Sequence, residues 1–147
     1  MGFSVASTHM LFFIGVIAIS AGVIVSFNAF IDETRGAMTD KKTFITDQLR
    51  TQIEVINVRY SGGISYIYAK NIGDRLMNTN CLNVFVDGMY ITDANLDILN
   101  ASSGTPRTEW NLEETLEFQA THAISGGTHT AKVVTCNGIS DEYSFST

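Results

Sequence analysis

Residues 1–31 carry no Asp, Glu, Lys or Arg, so every formal charge of the chain lies after them. From Met10 to Ile31 the chain reads MLFFIGVIAISAGVIVSFNAFI, with Asn28 its strongest polar residue. An uncharged stretch of that length spans a bilayer as one helix. A secretory signal would show a basic n-region, a shorter apolar stretch and a small-x-small site after it. Here no Lys or Arg precedes the run, and Ala21 and Gly22 sit inside it. The expectation is a permanent membrane anchor rather than a removed signal. Gly15, Ala18, Ala21 and Gly22 would let a partner helix approach closely, but small residues are common in membrane helices. Beyond the run, Arg35, Lys41, Lys42 and Arg50 alternate with Asp32, Glu33, Asp40 and Asp47. Lys and Arg counted alone place the C-terminal part in the cytoplasm, on a modest bias.

The rest of the 147-residue chain leaves roughly one hundred residues for one small domain. The net charge of −6 falls entirely on residues 32–147. That balance argues against nucleic acid and against anionic lipid as the main partner. Residues 32–50 contain no Pro and only Gly36, with Met38, Phe44, Ile45 and Leu49 at loosely helical spacing. They read as a helical stalk continuing the anchor.

After Arg50 the texture changes to β-branched and aromatic residues with regular Gly, Asn and Asp punctuation. Residues 52–60 predict a strand whose alternation slips at Val55-Ile56. A turn at Ser61-Gly62-Gly63 leads to a strand over 64–70, with Ile64, Tyr66 and Tyr68 on one face. Residues 81–86 form a strand with Leu82, Val84 and Val86 on one face, and Asp87-Gly88 turns it into 89–91. Residues 93–109 read as loop. Residues 116–120 alternate well, 129–135 form another strand, and Asn137-Gly138 turns the chain into a last strand over 139–145. Seven or so short strands with no helical interruption predict an all-β immunoglobulin-like sandwich. The expected organisation is a tail and transmembrane α-helix over 1–31, a helical stalk over 32–50 and a β-sandwich over 51–147.

Chemistry is sparse. His122 and His129 flank the Gly126-Gly127 turn, yet no CxxC, HxxxH or HExxH spacing accompanies them, so neither metal nor cofactor is expected. No nucleophile elbow, phosphate-cradling loop or nucleotide fingerprint appears, and the chain does not read as an enzyme. Glu113, Glu114 and Glu117 follow Trp110; such a cluster could coordinate a cation or meet a basic partner, but the favoured reading is a solvated strand entry. Cys81 and Cys136 both fall in strand-like stretches. They fit a disulfide, if the domain lies outside the cell, or two buried thiols. Asn100-Ala101-Ser102 is the single N-x-S/T sequon: a glycosylation site outside the cell, or chance.

Several segments together carry a resemblance. Met1-Gly2-Phe3-Ser4-Val5 opens into Ser7-Thr8-His9-Met10-Leu11-Phe12-Phe13-Ile14. Ile53-Glu54-Val55-Ile56-Asn57-Val58 is followed by Ala69-Lys70-Asn71-Ile72-Gly73. Then come Val86-Asp87-Gly88-Met89-Tyr90, Trp110-Asn111-Leu112-Glu113-Glu114-Thr115-Leu116 and Lys132-Val133-Val134-Thr135-Cys136-Asn137-Gly138-Ile139-Ser140-Asp141. In this order they resemble the FlaF/FlaG family of archaeal flagellum (archaellum) accessory proteins. Leu112-Glu113 stands where that family often has Pro-Gly. The opening five residues and the 132–141 segment are closer to FlaF, and residues 9–14 are closer to FlaG, with FlaF slightly preferred.

The resemblance implies a non-enzymatic stator component. It would be anchored in the cytoplasmic membrane as a single-pass protein, with its sandwich outside beneath the S-layer. That topology opposes the Lys and Arg tally. The implied partners are the S-layer protein and the sister accessory protein, and self-association into a homo-oligomer is left open. Tyr90, Trp110 and the 102–107 loop ending at Arg107 are the candidate partner contacts, because exposed aromatics and Arg dominate binding energy. Tyr90 and Trp110 read equally well as core. The competing reading is a pilin- or archaellin-like filament subunit with its apolar helix in the fibre core.

Overall fold

The computed structural model describes residues 2–147, with side chains from Ala6 onward. Met1 and the side chains of residues 2–5, which belong to the opening motif, lie outside the described residues. A single helix, α1 (Gly2–Arg50), runs for 49 residues through both the apolar run and the stalk. Nothing in the sequence breaks it. No Pro occurs in it, and Gly15, Gly22 and Gly36 stand in open space. Its apolar residues are bare on every side, Phe12 74% and Ile19 70% exposed. A helix apolar all round suits a lipid or protein environment rather than water. The described part is long and apolar enough to cross a membrane. Ser20 satisfies its hydroxyl within the helix by donating to the Val16 carbonyl at 2.8 Å, which lowers the cost of burying it in hydrocarbon.

The chain forms two compact units, Met1–Thr43 and Phe44–Thr147. The second unit therefore takes in the last two turns of α1. Its strands are β1 (Ile53–Ser61), β2 (Ile64–Asn71), β3 (Met77–Asn78), β4 (Asn83–Val86), β5 (Met89–Ile91), β6 (Leu96–Asn100), β7 (Glu109–Trp110), β8 (Thr115–Thr121), β9 (Thr128–Val134) and β10 (Ser140–Ser146). One four-stranded sheet has the order β1-β2-β8-β6, the other β10-β9-β4-β5, and β3 pairs with β7. All pairings are antiparallel. The two orders correspond to A-B-E-D and G-F-C-C′ of an immunoglobulin sandwich.

Alternation builds the core. Ile67 and Ala69 of β2 and Leu116, Phe118 and Ala120 of β8 are fully buried, as are Val84 of β4 and Ala131 and Val133 of β9. Burying a side chain such as Phe118 contributes about 1.5–3 kcal/mol. The slip read at Val55-Ile56 is a β-bulge: the β1–β2 register shifts between Val55 and Asn57, and Ile56 is left exposed. The Val55 amide there donates to Asp141 Oδ2 of β10 at 2.8 Å, stitching the edges of the two sheets.

Two expectations need correction. The segment read as loop over 93–109 contains β6 and the start of β7. Strand β6 has only Leu96 and Ile98 turned toward the core, too short an alternation to stand out from its polar neighbours. Neither cysteine lies in a strand: Cys81 ends a 3-10 turn at Thr79–Cys81, and Cys136 sits in the β9–β10 hairpin turn.

Candidate functional site at the helix junction

The strand ends nearest Arg50 form the base of the sandwich, where α1 enters it. The helix stops because the chain tightens and turns: the Thr51 amide donates to the Gln48 carbonyl at 3.1 Å. Residues 50–52 then lie against the β2–β3 connection. The Ile72 amide donates to the Gln52 carbonyl at 3.0 Å and the Asp74 amide to the Arg50 carbonyl at 2.9 Å. Arg50 pairs with Asp74 at 3.2 Å and Arg75 with Asp47 at 2.5 Å. Gly73 lies in this contact, and a Cβ there would stand 2.6 Å from both the Arg50 carbonyl and the Gln52 amide nitrogen. Backbone cannot yield at that distance, so only glycine fits.

Asn71 is fully buried beside it. Its Nδ2 donates to the carbonyls of Arg75 at 2.8 Å and Asn111 at 3.1 Å, and its Oδ1 accepts from the Gly73 amide at 3.1 Å. A buried amide with its bonds made holds several segments at once, whereas an unmade one would cost about 1–3 kcal/mol per group. Asn137 holds the helix from the other side. Its Nδ2 donates to the Asp47 carbonyl at 3.1 Å and to Thr51 Oγ1 at 2.7 Å, and its carbonyl accepts from Gln48 Nε2 at 2.9 Å. The hairpin carrying Asn137 closes with Gly138 in the left-handed region at φ 83°. A Cys81–Cys136 disulfide, with Cα atoms 5.1 Å apart, ties this hairpin to the turn before β4. It is solvent-exposed and lies outside the core, unlike the inter-sheet disulfide of antibody domains. Beside it runs a groove of about 340 Å³ lined by Phe44, Arg75, Leu76, Met77, Asn78 and Cys136.

Three of the sequence candidates meet at one residue of the same base, Asn100 and Arg107 at the Glu114 carboxylate and Trp110 at its backbone carbonyl. Glu114 Oε1 accepts from Asn100 Nδ2 at 2.6 Å and pairs with Arg107 Nε at 3.1 Å. Its Oε2 accepts from the amide and side chain of Asn111, each at 2.9 Å. Its carbonyl accepts from Trp110 Nε1 at 2.9 Å. Burial by itself pushes the Glu114 carboxyl up. The Asn111 amide, the Asn100 and Asn111 side chains and the Arg107 guanidinium outweigh that and hold it below the usual carboxylate range. Glu114, with a side chain 10% exposed, is therefore no solvated strand entry. Glu113 does face solvent and pairs with Lys70.

Trp110 is fully buried and packs edge-on to Phe118 with ring centroids 5.7 Å apart. It is core, and no partner can reach it. Asn100 Oδ1 accepts from the Ser102 and Ser103 amides at 3.0 and 2.8 Å, folding the sequon into an Asx turn. Arg107 stays partly exposed at the end of its loop. Tyr90 lies apart from these, on the outer face of the second sheet. It is 47% exposed, with its ring 5.6 Å from Phe85 and its hydroxyl 3.3 Å from Asp93 Oδ1.

The residues that make the junction, Asn71, Gly73, Glu114 and Asn137, were not singled out from the sequence as site residues. Their signal was present in the Lys70-Asn71-Ile72-Gly73, Trp110-to-Leu116 and Cys136-Asn137-Gly138 segments, which read locally as turns. Among the described residues no three His, Cys, Asp or Glu side chains converge as metal ligands.

No family model matches the chain. No curated protein matches its sequence. Among solved structures, the chain is similar to the archaellum periplasmic stator protein FlaG from Sulfolobus acidocaldarius, at 15% identity over 65% of this chain and 99% of that one, with a TM-score of 0.48. It is also similar to the archaellum periplasmic stator protein complex of FlaF and FlaG from Sulfolobus acidocaldarius, at 15% identity over 65% of this chain and 89% of that one, with a TM-score of 0.48.

Proposed function

We propose that this chain is a non-enzymatic strut of the archaellum motor. Its N-terminal helix is held in the cytoplasmic membrane, and its sandwich stands outside, docked on the S-layer protein or on a sister accessory protein of the FlaF/FlaG type. The observation that carries the reading is the junction. The motif segments that resemble the family supply Asn71, Gly73, Glu114 and Asn137, and these residues bind the end of α1 and the base loops together. Only Thr51 and Gln52 separate α1 from β1, so a load on the sandwich meets helix rather than slack chain. That is what a stationary element bearing torque requires. The exposed Cys81–Cys136 disulfide supports an oxidising, extracytoplasmic location.

The docking surface we favour is the outer face around Tyr90 and Phe85, with Arg107 and its loop as a second contact. The test is co-purification of the full chain, in detergent, with solubilised S-layer protein and separately with the sister accessory protein from the same organism. Saturable capture of either, weakened at least tenfold by Tyr90→Ala, is the expected result. Capture of neither by folded protein sinks the reading.

One observation favours the filament-subunit alternative: the apolar helix is uninterrupted and bare on every side. Sequencing the mature N-terminus separates the two. A subunit cut within its first ten residues and recovered in filaments belongs to the second reading; an intact chain in the membrane fraction belongs to the first.

A further inference from the structure

The end of the sandwich away from the helix junction holds a cluster that the strut reading does not use. Three elements meet there: the β4–β5 turn with Asp87, the 122–127 loop between β8 and β9, and the start of β9 with His129. His129 is buried, 8% exposed. Its Nδ1 lies 2.6 Å from Asp87 Oδ2 and its Nε2 lies 2.8 Å from the Ser125 carbonyl. Both neighbours are acceptors only, so both ring nitrogens must carry protons to satisfy them. Asp87 is fixed in turn, since its Oδ1 accepts from the Thr130 amide at 2.9 Å. From β10 the neighbour is the uncharged ring of Phe145, 5.8 Å away.

His122 has the opposite requirement. Its Nε2 lies 2.9 Å from Oγ of fully buried Ser65, and its Nδ1 is buried with no hydrogen-bond partner. A second proton there would be an unpaired buried charge. Between the two histidines Ile124 packs against the core. Tyr60 bonds the His122 carbonyl and the Ile124 amide only at 3.4 Å, and Thr147 holds Ser125 and Gly127.

We propose that the 122–127 loop is a pH-operated latch, shut while His129 is doubly protonated and His122 is neutral, and opened when either condition fails. The electrostatics agree with the geometry. The Asp87 hydrogen bond, and after it the Ser125 carbonyl, raises the His129 pKa above the ordinary histidine value. Burial lowers that of His122; nearby Asp87 opposes this and His129 adds to it. Asp87 itself is held low, first by the Thr130 amide and then by His129, so it stays charged across the working window. For His129 the folded value is raised. Its hold is complete below the ordinary value of about 6.5 and is lost as pH rises through the folded value. For His122 the folded value is lowered, so its contribution is present above about 6.5 and is lost as pH falls through the folded value.

The test uses the full chain in detergent micelles with nitrogen-15-labelled histidine. Imidazole spectra and loop amide exchange are read across pH for the wild type, Asp87→Asn and His122→Gln. At neutral pH, His129 is expected with both nitrogens protonated and His122 with one. Exchange over 123–127, corrected for intrinsic chemistry, should rise about tenfold per pH unit from about 6.5 to the His129 titration point and then level off. Asp87 sits in the left-handed region at φ 50°, which Asn tolerates, and Asp87→Asn should move that point down. His122→Gln should leave the alkaline opening and abolish the acid one. A wild-type His129 that titrates at the ordinary value, or a loop whose corrected exchange is flat with pH, overturns the latch whether or not the variants fold.

Discussion

The base and the far end of the sandwich are both made of hairpin turns and connecting loops, yet different chemistry holds them. At the base the ties are neutral side-chain amides, one disulfide, a glycine pressed against backbone, and a carboxylate held charged by its donors. None of these changes state near neutral pH. At the far end the ties run through two histidines, the residue type whose ordinary pKa lies closest to neutral, raised for His129 and lowered for His122. The contrast teaches where rigidity is unconditional and where it depends on the medium. The base carries the helix, and a strut loses its purpose if that joint slackens. The far end carries only its own loop.

If the base is rigid for the reasons given, damage there should far exceed damage on the open sheet face. The largest loss is expected from Trp110→Ala, up to about 5 kcal/mol, because it empties a fully buried ring site; a denaturant midpoint measures it. A near-neutral result would mean the ring is not core. Reducing Cys81–Cys136, which are 55 residues apart in sequence, should cost about 4 kcal/mol by the loop-entropy relation. Thermal unfolding with and without reductant reads this directly. Gly73→Ala should cost about 2–3 kcal/mol through the clash with Arg50 and Gln52. It should also raise amide exchange at residues 50–52 and 72–75 while leaving 122–127 unchanged. If both ends loosen together, base and far end are not independent.

Smaller and conditional is the effect of Glu114. Its folded pKa is lowered, so its stabilisation is whole above about pH 4.3 and is lost as pH falls through the folded value. Glu114→Gln should flatten that acid limb of the stability curve, and an unchanged limb would assign it to other carboxylates. Smallest is Tyr90→Ala, under about 0.5 kcal/mol on stability. Any large effect of that variant should appear in partner capture instead.

Much of the fold was legible because it rests on local rules. The apolar run had only one reading as an element, and period-two alternation marked β8 through Leu116, Phe118 and Ala120. The stumble at Val55-Ile56 even marked the bulge. Strand β6 was missed because a short edge strand with only two core contacts makes little pattern. The candidate site was legible only in part. Asn100, Arg107 and Trp110 were singled out separately, and nothing local says that they converge on Glu114. Glu114 looked like one of three surface acids because the donors that bury it come from three different segments.

The sequence by itself determined the uncharged helix, the number and rough place of most strands, and the turns that join them, since each follows from hydropathy period or backbone preference over a few residues. Only the tertiary structure decided which polar residues are structural. Asn71, Glu114, Asn137 and His129 are satisfied by partners 2 to 90 residues away, most of them on other segments. A buried polar group is tolerable only where the fold brings its partners to it, and such meetings leave no periodic trace along the chain.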